Sequence, residues 1–235
     1  MTGGLANNSA IKKIDGIRAV IIDLDGTMVD TIGDFLIAIN AMRTEFSLPP
    51  LTQTTIQNMV GKGSENLITR VLACDFSPEE AKQHFARAME SYQRHYLSIN
   101  GQFSDIYPEV HEGLLALQAK GLRLACVTNK PVVMALPLLQ QKGLSAYFDV
   151  VYGGDSLPHK KPHPAPFLQV CADFNLAPHQ IVAIGDSSND ALAARAAGCR
   201  ALTVPYGYNH GEAVQLIDSD GIVETLLCAA HMVNI

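Results

Sequence analysis

Three apolar runs, at residues 17–22, 122–127 and 181–184, stop abruptly at polar residues and are each followed by apolar positions at helical spacing. Runs this short, rich in β-branched residues and bounded by glycines or polar turns, fit strands buried on both faces. Such strands alternating with helices predict a parallel sheet with helices on both sides. Ligands of these sheets gather at the carboxyl ends of the strands. Those ends carry Asp23 and Asp25, Thr128 and Asn129, and Asp186 and Asp190. Three polar groups far apart in the chain are therefore expected to converge.

The first of these ends reads Asp23-Leu24-Asp25-Gly26-Thr27. If the extended geometry continues through residue 25, Asp23 and Asp25 share one side and Leu24 points to the other. Two carboxylates so close call for a cation or a shared proton. A hard divalent cation suits them, and Mg²⁺ in particular takes one or two protein carboxylates beside waters and a substrate phosphate. Gly26 permits a tight turn, and Thr27 offers a hydroxyl and an N–H. Taken by itself, the stretch also fits a solvated turn at a strand end.

Between the first two runs the strand signals vanish. Ile32, Phe35, Leu36, Ile39, Met42 and Phe46 predict an amphipathic helix over 31–46, and Ser64 with Leu67, Ile68, Val71 and Leu72 predicts another. Ser77-Pro78-Glu79-Glu80 is a capping box with proline at the first helical position, opening a longer helix. This reads as an all-helical insertion at 28–104 in a core made of 1–27 and 105–235. Further on, strands are expected at 148–152 and 201–204, helices at 110–121, 131–143, 165–174 and 191–197, and a terminal helix over 222–232. Residues 1–10 read as a loose tail.

A chain of 235 residues matches one core plus an insertion, at roughly 150 residues per domain. With 48% hydrophobic residues it has the material for a well-buried core. The net charge of −6 argues against a nucleic-acid surface, which needs clustered Lys and Arg. Only Lys12-Lys13 and Lys160-Lys161 pair basic residues directly. Five scattered cysteines without a Cys-x-x-Cys fit reduced thiols. The N-terminal residues lack the apolar centre of a signal peptide, and no apolar run approaches the roughly 20 residues of a membrane span. A cytoplasmic protein without membrane contact is expected.

The motif at Asp23–Thr27 resembles the first motif of the haloacid dehalogenase-like hydrolases, and the later motifs follow in order. Thr128-Asn129 resembles the second, Lys161 in Lys-Pro-His-Pro the third, and Gly185-Asp186-Ser187-Ser188-Asn189-Asp190 the fourth. The resemblance implies a Rossmann-like doubly wound core with a small helical cap, acting on a small phosphorylated metabolite as a monomer or homodimer. It implies Asp23 as nucleophile and Asp25 as acid and base. Thr128, Asn129 and Lys161 would bind phosphate, while Asp23, Asp186 and the Asp25 carbonyl would hold Mg²⁺. Asp190 would support the metal or hold Lys161. Members that are dehalogenases or P-type ATPases lack an aspartate at position 25, so its presence implies phosphate ester hydrolysis. Thr128 also fits an ordinary helix N-cap, Lys160 is the neighbouring candidate for Lys161, and His163 fits a packing or capping role.

Within that family the likeness is to the phosphoglycolate phosphatases. It rests on Val60-Gly61-Lys62-Gly63, on Lys160-Lys161-Pro162-His163-Pro164, and on Tyr206-Gly207-Tyr208-Asn209 followed by Gly211-Glu212. It implies hydrolysis of 2-phosphoglycolate through an aspartyl phosphate, with Gly61, Lys62 and Gly63 as the cap loop and Lys62 meeting an acidic substrate group. Lys62 fits a plain surface loop equally well. A sugar-phosphate mutase of the same superfamily is the alternative, since such mutases share the four motifs and a helical cap.

Overall fold

The computed structural model describes residues 13–235. The tail expected at 1–10 and one partner of the Lys12-Lys13 pair lie outside the described residues. In chain order the core opens with β1 (Ala19–Ile22), and a two-residue strand β2 (Val29–Asp30) leads into α1 (Ile32–Glu45). Then come α2 (Gln53–Gln57), α3 (Ser64–Leu72) and α4 (Pro78–Ile99), followed by β3 (Asp105–Ile106). The core resumes with α5 (Val110–Ala119), β4 (Arg123–Val127), α6 (Val132–Gln141), β5 (Val150–Tyr152) and α7 (Ala165–Phe174). It ends with β6 (Ile181–Gly185), α8 (Ser188–Ala197), β7 (Arg200–Thr203), β8 (Gly221–Ile222) and α9 (Leu226–Met232).

The main sheet has the order β5-β4-β1-β6-β7-β8 with every pairing parallel. The strand period of two divides its side chains between two layers. Val20 and Ile22 of β1 pack with Val110, Leu114 and Leu117 of α5, Leu138 of α6 and Leu226 of α9. Ala19 and Ile21 face the other way, onto Phe167 and Val170 of α7 and Ala194 of α8. This is the doubly wound α/β architecture of a Rossmann-like fold, as the alternation of strands and helices predicts.

Helices α1–α4 pack around an apolar cluster of their own, with Ile39, Met42, Ile56, Ile68, Val71, Tyr92 and Tyr96 buried in it. Met134 and Tyr208 of the core join it at the edge. The capping box at Ser77 is present: the Ser77 hydroxyl accepts from Glu80 N–H, and the Glu80 carboxylate accepts from Ser77 N–H at 3.0 Å. Where the chain leaves and re-enters the core, β2 and β3 pair antiparallel, Val29 with Ile106 and Asp30 with Asp105. Asp34 fastens the return, accepting from Gly101 N–H at 2.7 Å and Phe103 N–H at 2.8 Å. This ribbon was not foreseen, because two-residue strands are too short to show a period.

One expectation needs correction. The apolar run 222–232 is not a single helix: Gly221 and Ile222 pair with Leu202 and Thr203 of β7, and α9 begins only at Leu226. Thr225 sets that start, its hydroxyl accepting from Cys228 N–H at 3.1 Å as an N-cap. Pairing with an otherwise open strand edge outweighs local helical periodicity. Among the described residues, no helix is long and apolar enough to cross a membrane.

Candidate active site

Register brings the strand ends together. Ile22 is level with Cys126 on one side and Ile184 on the other, so Asp23, Thr128 and Asp186 leave the sheet along one rim. Lys161 reaches under them from the loop before α7. Its ammonium lies 2.8 Å from Asp23 Oδ1 and 2.7 Å from Asp190 Oδ1, and it donates to the Val127 carbonyl at 2.6 Å. Its three donors are therefore all placed. Asp190 is held by Ser187 at the N-terminus of α8, accepting from Ser187 Oγ at 2.8 Å and Ser187 N–H at 3.3 Å. It is Lys161, not the adjacent Lys160, that turns inward; Lys160 is half-exposed, 3.7 Å from Glu65.

One carboxylate oxygen from each of Asp23, Asp186 and Asp190 lies within 4.8 Å of the others. Three buried acids thus share one lysine. Burial pushes Asp23 up to about 7, with Lys161 pulling against it. Asp186 is pushed well above the usual carboxylate range by burial, then by Asp190 and Asp23. Burial alone would lower Lys161, but Asp190 and Asp23 outweigh it and hold it charged.

The donor set fits a hard divalent cation. All three groups are carboxylates whose full ionisation would exceed the charge of Lys161, and Asp23 Oδ2 has no hydrogen-bond partner among the described residues. Asp190 has one lone pair free after Lys161 and Ser187, whereas Asp186 keeps two after accepting from Thr27 Oγ1 and Tyr208 N–H. Asp23 and Asp186 are the freer ligands. The backbone approaches Asp186 closely on that side: a Cβ on Gly26, at φ +82°, or on Gly207 would lie 2.3 Å from Asp186 Oδ2.

Around the acids is a cavity lined by Asp23, Asp25, Thr128, Asn129 and Asp186 from the core and by Phe35, Gly61, Gly63, Ser64 and Tyr92 from the insertion. Thr128 is not a helix cap, since α6 starts four residues later behind Pro131; its hydroxyl accepts from Lys130 N–H at 3.1 Å. The Asn129 side chain does not reach for a ligand: its Nδ2 donates to the carbonyls of Gly61 at 3.0 Å and Lys161 at 2.9 Å. The backbone N–H groups of Asp25 and Asn129 have no acceptor among the described residues, and an anion in the cavity would satisfy both.

Of the expected cap-loop residues, one falls differently. Gly61 and Gly63 line the cavity, but Lys62 between them is exposed and faces the outer groove with His159 and Lys160. His163 serves as a cap, accepting from Ala165 N–H at 3.1 Å. Two residues without an assigned role in the sequence reading prove central. Lys130, buried, lies 3.0 Å from Asp25 Oδ1, which also accepts from Thr31 Oγ1 at 2.8 Å. Tyr208 gives its N–H to Asp186, while its hydroxyl accepts from Thr31 N–H at 2.8 Å and Ile32 N–H at 3.0 Å, capping α1. The signal for Lys130 was its place directly after the second motif; for Tyr208 it was the Tyr-Gly-Tyr-Asn run.

Known proteins match most of this chain. The family described as haloacid dehalogenase-like hydrolase matches residues 20–204. A phosphoglycolate phosphatase of Nitrosospira multiformis is 48% identical over 218 residues, covering 93% of this chain and 96% of that one. The phosphoglycolate phosphatase of Escherichia coli is 36% identical, covering 92% of each chain. The crystal structure of a predicted phosphoglycolate phosphatase from Haemophilus somnus superposes with a TM-score of 0.85 at 34% identity, covering 90% of this chain and 96% of that one. With the four motifs meeting at one buried rim and a match spanning most of its length, the chain belongs to the haloacid dehalogenase-like hydrolases.

Proposed function

We propose that this enzyme is a Mg²⁺-dependent phosphomonoesterase that forms an aspartyl phosphate on Asp23 and hydrolyses 2-phosphoglycolate to glycolate and phosphate. The observation that carries the reading is the Lys161 ammonium bridging Asp23 and Asp190, with Asp186 beside them. Phosphoryl transfer depends mainly on positioning and charge neutralisation, and that cluster supplies both. The substrate assignment leans on the phosphoglycolate phosphatases among the relatives.

In this mechanism an oxygen of the Asp23 carboxylate attacks phosphorus, and the bond from phosphorus to the ester oxygen breaks. Asp25 gives its proton to the departing alkoxide and later takes one from the water that opens the acyl phosphate. Both hydrogen bonds to the Asp25 carboxylate fall on Oδ1, which leaves Oδ2 for the proton. Thr128 Oγ1 and the N–H groups of Asp25 and Asn129 would hold the phosphate oxygens, with Lys161 offsetting charge beneath. Mg²⁺ held by Asp23, Asp186 and the Asp25 carbonyl would neutralise the transferring group.

Residues 28–104 act as the cap in this reading, hinged at the β2–β3 ribbon. The cavity offers about 30 Å³, room for about two waters where one needs roughly 10–15 Å³. Substrate therefore enters as the helical wall moves outward and reacts once it closes and excludes water. A phosphate-release screen over small phosphomonoesters, with Mg²⁺ and with EDTA, tests the assignment. Release from 2-phosphoglycolate that needs Mg²⁺ supports it. Turnover unchanged in EDTA, or isomerisation of a hexose phosphate without release, overturns it.

A further inference from the structure

Beyond the place for phosphate, the cavity offers one positive charge. Among the described residues that line it, Lys130 is the only lysine or arginine. Lys161 lies behind Asp23, and Lys62 stands outside in the groove. The Lys130 side chain is 1% exposed. Its ammonium lies 3.0 Å from Asp25 Oδ1 and donates to the Tyr96 hydroxyl at 2.5 Å. It sits 4.4 Å from the Tyr96 ring centroid and 4.9 Å from that of Phe35. Of its three N–H donors, one has no acceptor among the described residues.

A buried ammonium over two aromatic faces is costly unless anions meet it. The Asp25 carboxyl group is one acceptor. A second could share the same ammonium, because the free donor remains. Lys130 also follows Thr128 and Asn129 directly, so its charge stands next to the phosphate place, within reach of a group one or two carbons further along a short ester. A neutral hydroxyl there could accept from the donor but would leave the buried ammonium without a second charge to balance it, and a charge-assisted bond is worth more than a neutral one.

We infer that Lys130 is a specificity-determining residue that binds a carboxylate carried by the substrate next to its phosphate, the role that the sequence assigned to Lys62. The inference rests on the phosphatase reading above and deepens it. Because the aromatic clamp comes from α1 and α4, the carboxylate is read only when the helical insertion lies over the core.

The test compares 2-phosphoglycolate with 2-hydroxyethyl phosphate, of equal length but without the carboxylate, in the wild type and in Lys130→Gln. The expected wild-type preference in kcat/KM is about 30- to 100-fold, the scale of a buried charge-assisted bond. In Lys130→Gln it collapses to within about threefold, even if both rates fall through the lost contact to Asp25. A preference that survives in Lys130→Gln overturns the inference, as does a wild type that shows none. Should the variant not fold, the wild type alone decides by binding: 3-phosphonopropionate should bind at least about tenfold tighter than 3-hydroxypropylphosphonate, and equal affinities refute the role. Failure of the phosphatase reading looks different: no Mg²⁺-dependent release from either ester.

Discussion

Three buried acids around one lysine make the stability of this fold depend on pH, with a sign opposite to that of a salt-bridged surface acid. Asp23 ionises near 7 in the folded chain against 3.8 in an open one, chiefly through burial. A raised folded value means that the folded state holds more protons between those limits, so stability is greatest at low pH and is lost as pH rises through 7. At 1.36 kcal/mol per pH unit the whole loss from Asp23 is roughly 4 kcal/mol, of which ~2 kcal/mol falls between about pH 5 and 7. Asp186 is pushed the same way. Glu45, held down to about 2 by Arg94, His95 and Ser91, works in the other direction but only in acid, below this window. A cation bound by the folded state alone offsets the loss.

The assay is urea unfolding of the wild type and Asp23→Asn between about pH 5 and 7, in EDTA and in Mg²⁺. The asparagine cannot titrate and no longer pushes Asp186 up, so the difference between the two proteins reports Asp23 together with its effect on Asp186. In EDTA the wild type should lose ~2 kcal/mol relative to the variant over that range, and Mg²⁺ should remove the loss. Parallel pH curves in EDTA would refute the account of burial. A difference untouched by Mg²⁺ would refute the acids as a metal site.

Three substitutions probe other parts of the argument. Gly26→Ala places a methyl against Asp186 at a φ of +82°; it should cost about 1–3 kcal/mol in thermal unfolding and lower Mg²⁺-dependent turnover at least about tenfold. Tyr208→Phe leaves the Thr31 N–H without its acceptor and the Ile32 N–H with Asp30 Oδ1 alone at 3.2 Å, which should cost about 1–3 kcal/mol in urea unfolding. Ser77→Ala removes the cap of α4, remote from the cavity, and should cost about 1 kcal/mol with kcat unchanged.

The candidate site at the sheet rim was legible because its residues sit directly at the ends of strands that announce themselves by composition. Parallel pairing then places Asp23, Thr128 and Asp186 side by side without further information. Lys130 was invisible as a partner of Asp25 because that contact spans 105 positions and needs Phe35 and Tyr96 to wall it in. Tyr208 reaches α1 across 177 positions, a closure that no local period encodes. Lys62 misled for a related reason: a glycine on either side fixes the loop, but the positive φ values of Gly61 and Gly63 turn the side chain between them outward. The break between β8 and α9 depended on an open strand edge elsewhere in the sheet.

The central claim is that Asp23 carries the phosphoryl group during turnover, and trapping it is the most direct test. In Asp25→Asn the water that opens the acyl phosphate loses its base, while a substrate whose leaving group needs no acid, such as acetyl phosphate, can still phosphorylate Asp23, so the intermediate should accumulate when acetyl phosphate and Mg²⁺ are added. Acid quenching followed by peptide mass spectrometry is predicted to find phosphate on Asp23. Phosphate released at the wild-type rate by that variant, or phosphoryl found on another residue, would contradict it.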